Sequence, residues 1–386
     1  MEKETCNHKQ MRKINRSAVL NHLRQTGPRP RAEIARDLKM DGTTITHLVR
    51  ELLKEKLLCV QSIGRSSTGK PQDLLDINPD GATAAGISLA PGSVSGVILN
   101  LKGEVISREH IMTSHSISRQ KLMGFIEKII ENILSHPSNQ SLRELGVAYH
   151  GIFPVKEKSS LRTLHLPALE GLDIKSRLKE KYGFEPRLIS ATRAVAEAEM
   201  WLGNMSAAPD FCIVDLGVGI GSVNISSGVI QYGTRGLAGE LGHTKIIPDG
   251  EKCLCGHFGC LETVASINAI EKKTGAALKR DIHFDEIVHL FKSGNKTVKN
   301  IISNAAKYLA IATGNMINLH NPSKLIFSGL LMELGEPFFD EIKLHISESA
   351  LPELLEDTIL QRSSLGDYSP AIGAAVISIK DIFAIH

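Results

Sequence analysis

Apolar positions recur with two different periods along this 386-residue chain, and the change of period divides it. Val19, Leu20 and Leu23, then Ile34 and Leu38, then Ile45, Leu48, Val49, Leu52 and Leu53 follow the three-to-four spacing of helices that bury one face. Pro28-Arg29-Pro30 breaks the first helix from the second, and Asp41 stands where a carboxylate caps the third. Leu57, Leu58, Val60 and Ile63 read as a strand, residues 64–71 as a polar loop, and Leu74-Leu75 as the returning strand. Three helices and a hairpin over residues 1–78 predict a winged helix-turn-helix.

From residue 82 the pattern changes. Gly86-Ile87-Ser88-Leu89, Val94-Ser95-Gly96-Val97-Ile98-Leu99 and Gly103-Glu104-Val105-Ile106 read as successive strands, residues 122–134 as a helix and residues 145–149 as a further strand. A similar strand-turn-strand opening recurs at Phe211-Cys212-Ile213-Val214-Asp215-Leu216-Gly217, Gly221-Ser222-Val223-Asn224-Ile225 and Gly228-Val229-Ile230. Alternating strands and helices imply an α/β body over residues 82–386. The repeated opening implies two related lobes around a cleft, the second beginning near residue 203, with residues 203–209 as the hinge.

Charge gives the first segment a function class. Net charge is only +3, but residues 1–70 hold 15 Lys and Arg against 7 Asp and Glu, an excess of +8 that leaves −5 for the remainder. A basic head on a mildly acidic body fits a polyanionic partner, for which the helices make double-stranded DNA the candidate, the alternative being a solvated basic face with no partner. The outer face of the third helix carries Thr43, Thr44, Thr46, His47 and Arg50, side chains able to reach base edges and phosphates in a major groove. Arg65 and Lys70 on the wing are expected along a phosphate backbone or in a minor groove. The competing reading is a winged helix used for protein contact. No apolar run approaches the ~20 residues of a membrane span, and Met1-Glu2-Lys3-Glu4 does not begin a secretion signal, so the expected location is the cytoplasm. Cys6, Cys59 and Cys212 are scattered rather than arranged as a disulfide framework.

The densest chemistry lies in residues 239–262. His243, Cys253, Cys255 and Cys260 fall within eighteen residues, flanked by Glu240 and Glu262. One imidazole and three thiolates fill a tetrahedral zinc shell, and a filled shell has no position for reactive water, so the ion is expected to be structural. Gly256 and Gly259 let the chain turn back onto it. The alternative is three buried or redox-active cysteines beside a histidine.

On this loop, on Ile326-Phe327-Ser328-Gly329 and on Gly373-Ala374-Ala375, the chain resembles the ROK family of repressors, open reading frames and sugar kinases. The resemblance covers nearly the whole chain. It includes the winged helix that only the family's regulators carry, with a wing loop one glycine shorter than theirs. It implies an actin-like, ribonuclease-H-like two-lobed fold, one zinc held by His243, Cys253, Cys255 and Cys260, and sugar contacts from Glu240, His243 and Glu262. Carboxylates and imidazole suit vicinal hydroxyls as hydrogen-bond acceptors. A competing role for the two glutamates is orientation of the zinc ligands, and the two roles are compatible.

Three places depart from what the resemblance implies for kinases. Ser88-Leu89-Ala90-Pro91-Gly92 stands where an Asp and a Gly-Gly-Thr turn cradle phosphate. Ile189, Ser190 and Ala191 stand where a Glu-Asn-Asp segment supplies a sugar-binding Asn and the proton-accepting Asp. Ser190 remains a candidate sugar contact, but alanine takes no proton. Gly217-Val218-Gly219-Ile220-Gly221 keeps the second phosphate loop's glycines, with Val218 in a hydroxyl's place. The expected function is therefore a sugar- or sugar-phosphate-responsive transcriptional regulator, a repressor, acting as a homodimer or homotetramer without enzymatic activity. The alternatives are an ATP-dependent sugar kinase with a DNA-binding appendage and a zinc-stabilised interaction protein. Residues 161–167 are expected near the cleft, with His165 read as a structural residue and His150 assigned no role.

Overall fold

The Asp41 carboxylate accepts hydrogen bonds from the Thr43 and Thr44 amides at 2.8 and 3.2 Å and so starts helix α3, Gly42–Lys54. This structure, a computed structural model, describes residues 8–65, 71–114, 116–137, 142–151, 163–203 and 209–384. Helices α1 (His8–Thr26) and α2 (Arg31–Asp37) pack with α3 around Val19, Leu20, Leu23, Ile34, Ile45, Leu48, Val49 and Leu52, all buried. Strands β1 (Arg29–Pro30), β2 (Leu58–Arg65) and β3 (Pro71–Ile77) form an antiparallel sheet in the order β1-β3-β2. The first helix begins earlier than its apolar positions require, because its initial turns are polar.

The body contains two sheets of one design. The first lobe has β4 (Thr83–Ala90), β5 (Ser93–Asn100), β6 (Val105–Met112), α4 (Arg119–Ser135), β7 (Leu142–Tyr149), α5 (Ile174–Tyr182), β8 (Arg187–Ser190) and α6 (Ala191–Leu202). The second has β9 (Phe211–Leu216), β10 (Ile220–Ser226), β11 (Val229–Ile230), α7 (Glu262–Ala265), α8 (Ile267–Leu278), α9 (Phe284–Lys292), α10 (Lys296–His320), β12 (Lys324–Ser328), α11 (Glu336–Ile346), α12 (Pro352–Glu356) and β13 (Ile359–Arg362). Sheet orders are β6-β5-β4-β7-β8 and β11-β10-β9-β12-β13. In each, the first three strands form an antiparallel meander and the last two run parallel to the first. Central β4 is buried along nearly its whole length, whereas edge β6 alternates half-buried and exposed, as its position dictates.

Chain order does not fully predict lobe membership. The last helix, α13 (Ser369–Phe383), crosses back to lie on β4, β5 and β7 and against α6. It approaches so closely that a Cβ on Gly373 would fall 1.7 Å from the Ala194 carbonyl oxygen. The winged helix is also not hung on a tether. Its core continues through Ala82, Ala84, Val97 and Leu99 into Ala371, Ile372, Ala375 and Phe383 of the body. Of the expected hinge, only Gly203 and Pro209 lie within the described residues. No helix among the described residues is long and apolar enough to cross a membrane.

Candidate ligand cavity and DNA-reading face

A cavity of about 120 Å³ opens between the lobes, where β8 gives way to α6 and the loops after β9 and β11 converge. One wall carries Glu240, His243 and Glu262. The second wall, contributed by the first lobe and the segment leading to it, carries Tyr149, His150, His165, Ser190, Ala191, Thr192 and Arg193, with His165 reaching across to Glu262, and Asp215 lies at the end of β9. The sequence-derived residues Ser190, Ala191, Glu240, His243 and Glu262 thus meet in one place.

The residues behind the first wall converge on a second cluster. Ligand atoms of His243, Cys253, Cys255 and Cys260 all lie within 4.8 Å of one another. Cys253 Sγ is 3.6 Å from His243 Nδ1, and Cys255 Sγ is 3.6 Å from Cys260 Sγ. The backbone is folded for this. Gly256 and Gly259 have φ of +95° and +69°, and a Cβ on Gly259 would lie 1.6 Å from the Ile247 oxygen. Lys245 Nζ donates to Cys260 Sγ at 2.8 Å, placing a positive charge beside the sulfurs. His243 therefore belongs to both the cavity wall and the cluster that could hold a metal.

His165 pairs with Glu262, Nε2 to Oε1 at 2.7 Å, and both are largely buried. The Ile220 amide also faces Glu262 Oε2, at 3.4 Å. Burial pushes the Glu240 carboxyl upward from its ordinary value, opposed by the nearby Arg193 charge. Burial raises Asp215 to about 6, against a hydrogen bond from Thr192 that favours the anion. Burial, reinforced by His165, lowers His150 to about 4, so its imidazole is neutral at neutral pH. His150, His165, Thr192, Arg193 and Asp215 lie outside the set of site residues expected from the sequence. A lone charge inside the alanine-rich start of α6 is the only signal for Arg193, and His165 becomes intelligible only beside Glu262, 97 positions away.

On the head, Thr43, Thr46, His47 and Arg50 are exposed along α3 and Thr44 is half-buried. The Thr46 hydroxyl bonds back to the Gly42 carbonyl at 2.8 Å. Beside this face, Arg12 and Arg16 of α1 pair with Glu51 and Glu55. Those two basic residues are thereby occupied, and Thr43, Thr46, His47 and Arg50 remain exposed along α3. Arg65 ends β2 opposite Pro71 in the ladder, and Lys70 lies outside the described residues.

A winged helix joined to a duplicated kinase-like body, with a loop bearing one histidine and three cysteines, defines a class, that of two-lobed sugar-kinase relatives fitted for reading DNA. The ROK family profile matches residues 85–381, and the chain belongs to the ROK family. It is 25% identical over 393 residues to the xylose repressor of Caldicellulosiruptor bescii, covering 98% of each chain. It superposes at a TM-score of 0.79, with 25% identity and 97% of each chain covered, on a ROK family transcriptional regulator described as a homologue of the Escherichia coli MLC protein. The ROK hexokinase of Thermus thermophilus shares the fold at a TM-score of 0.63 and 22% identity, covering 78% of this chain and 99% of its own. Relatives that match end to end are regulators, which places the chain among the family's repressor-type transcriptional regulators.

Proposed function

We propose that this protein represses carbohydrate-related genes by binding operator DNA as a homodimer or homotetramer through α3 and the wing, and that its cavity senses a sugar or sugar phosphate without phosphorylating it. The single observation that carries the reading is the contrast across the cavity. Glu240, His243 and Glu262 line one wall, while Ala191 occupies the first turn of α6 on the other. Loss of a positioned general base removes about 10²–10⁴-fold in rate. Val218, buried in the core of the second lobe, supplies no hydroxyl for a phosphate.

Zinc is the metal that best fits the four-atom cluster. Tetrahedral bonds of about 2.3 Å to sulfur place ligand atoms roughly 3.8 Å apart, close to the 3.6 Å separations here. Zinc would fix His243 by one ring nitrogen and leave the other to the cavity, so the same residue serves both sites.

The decisive experiment is fluorescence anisotropy of labelled DNA from upstream of the gene, with and without D-xylose or other pentoses, hexoses, amino sugars and their phosphates. Specific binding whose affinity falls steeply with salt, and shifts with one of these ligands, is the expected result. Salt-sensitive binding without sequence preference would sink the repressor reading. Coupled turnover with ATP and the same sugars tests the kinase alternative, and robust turnover would overturn the role given to Ala191.

A further inference from the structure

Helix α6 is an alanine-rich helix of twelve residues whose first turn contains a buried arginine, Arg193, 9% exposed. A buried guanidinium must be satisfied by specific partners, and among the described residues those of Arg193 come from one loop of the other lobe. Its Nη2 donates to the Gly236 carbonyl at 2.5 Å and approaches the Ala238 carbonyl at 3.5 Å. Its guanidinium carbon lies 5.1 Å from the centre of the Tyr232 ring. This loop leads directly into Glu240. Its last residue is pinned from the far side, where the Ser222 amide donates to the Gly239 carbonyl at 2.8 Å.

The other end of α6 meets the DNA-binding head. Arg24 of α1 places its guanidinium 4.0 Å from the centre of the Trp201 ring and donates from Nη1 to the Trp201 carbonyl at 3.2 Å. Between the two ends α6 is locked to α13, by the Gly373–Ala194 contact and by Lys380 to Glu197 at 2.6 Å. The last turn of α13 returns to α1, where the Phe383 carbonyl accepts from Ser17 Oγ and Asn21 Nδ2. A twelve-residue helix spans about 18 Å and does not compress, so a displacement imposed at Arg193 reaches Trp201.

We propose that Arg193 is a positioning residue: it holds the loop of residues 232–239, hence Glu240, and transmits movement of that loop through α6 to Arg24 and the winged helix. The proposal rests on the reading of the cavity as a sugar sensor. A ligand that draws Glu240 inward pulls on the Gly236 and Ala238 carbonyls, and the charge-assisted hydrogen bond makes α6 follow. The head then feels the difference in ligand affinity between the two arrangements, and no more than that.

The chain reports on itself, because Trp201 is its only tryptophan. The experiment uses the full-length protein, labelled upstream DNA, and D-xylose or whichever sugar of the panel raises the wild-type melting temperature. Wild type is expected to change its DNA affinity by about 5–150-fold on ligand addition, the usual range for coupled sites, with a shift in Trp201 emission. Arg193→Met, tested at a ligand concentration that saturates its own melting-temperature shift, should lose most of the ligand-induced change in DNA affinity and leave Trp201 emission unmoved. Arg193→Lys, which retains a donor, should recover part of the response. If Arg193→Met fails to fold by circular dichroism, Tyr232→Leu decides, because Tyr232 is 41% exposed and its loss opens no core. A second arm needs no ligand. Arg193→Met and Arg24→Gln lie at opposite ends of α6, where effects on DNA affinity add by default, so a coupling of about 3-fold or more supports the proposal. A full ligand response in Arg193→Met or Tyr232→Leu, or additive effects in the double-mutant cycle, overturns it. A wild type that binds operator yet answers no sugar removes the sensor reading instead, and the cycle still judges Arg193.

Discussion

The two walls of the cavity were made differently. On one, Glu240, His243 and Glu262 stand within 23 residues of one another in sequence and share a backbone knotted around the histidine–cysteine cluster. On the other, Tyr149, His150, His165 and the first turn of α6 are drawn from separate strands and loops, and each depends on how the sheet places it. The first wall holds together as a unit, and losing any ligand threatens all of it. The second can be changed one residue at a time, and Ala191 is, on the proposed reading, such a change. Under the proposed function, affinity for hydroxyls resides mainly in the first wall and phosphotransfer chemistry would belong to the second, so a chain could keep the one while the other lapses.

The strongest way to break this contrast is to remove the clasp. Purified protein is expected to contain one zinc per chain by elemental analysis, and Cys260→Ser, or treatment with a strong chelator, should abolish it. Structural zinc contributes about 10 kcal/mol or more of apparent binding free energy in small zinc domains, so melting of the second lobe should fall by many degrees. The response to sugars should vanish with it, because Glu240 and Glu262 flank the loop. The core of the winged helix, around Leu20, Ile34 and Val49, is continuous with the first lobe and includes no strand or helix residue of the second, so the head should still bind DNA. Zinc-free protein with unaltered melting and ligand response would mean that the two walls do not differ as argued.

Next in size is Glu262→Gln. Glu262 is buried, pairs with His165 and faces the Ile220 amide. Hydrogen bonds to charged groups contribute about 1.5–3 kcal/mol, so sugar affinity measured calorimetrically should fall by roughly 10–100-fold. An unchanged affinity would reduce Glu262 to a support for the metal loop.

Asp215 tests the seam between the walls. Its folded-state value is raised to about 6, above the ordinary carboxylate range, because burial penalises the anion. The sign follows: a carboxyl raised on folding stabilises the fold when protonated, below about pH 4, and that contribution is lost as pH climbs through 6. At pH 7.5 the charged form is a burden on the order of 2–3 kcal/mol. Asp215→Asn should therefore melt higher than wild type at pH 7.5, with the gap closing towards pH 4.5. A gap that does not vary with pH would mean that Asp215 is not titrating in this range.

What was legible in the sequence follows from how far apart the interacting residues are. The Asp41 cap, the apolar face of α3 and the spacing of His243 and its three cysteines are written within a few residues or one loop, so the chain displays them directly. Two lobes of like topology could be inferred from a repeated strand pattern. The return of α13 to the first sheet could not, nor could the shared core of head and body, because contacts such as Ser17 to Phe383 join positions 366 apart. Arg193 and Asp215 carry no periodicity or motif of their own. Their importance comes from burial, which only the fold confers.

The smallest effect expected is also the sharpest test of which wall binds. Ser190 occupies the N-cap position of α6, where serine ordinarily accepts from an amide of the first turn, yet its side chain makes no capping hydrogen bond. Asp41 of α3 and Ser118 of α4 do cap their helices in this way. Removal of a working cap costs about 1 kcal/mol, so Ser190→Ala should cost clearly less, with a melting temperature close to that of wild type, whereas Ser118→Ala should show the full loss. The Ser190 hydroxyl is therefore not engaged by its own helix and can reach a ligand. If it contacts the sugar, Ser190→Ala lowers affinity by about 3–10-fold, one neutral hydrogen bond, with stability unmoved. If affinity and stability both stay put, the second wall contributes nothing to hydroxyl recognition at this position, and ligand contact rests with Glu240, His243 and Glu262.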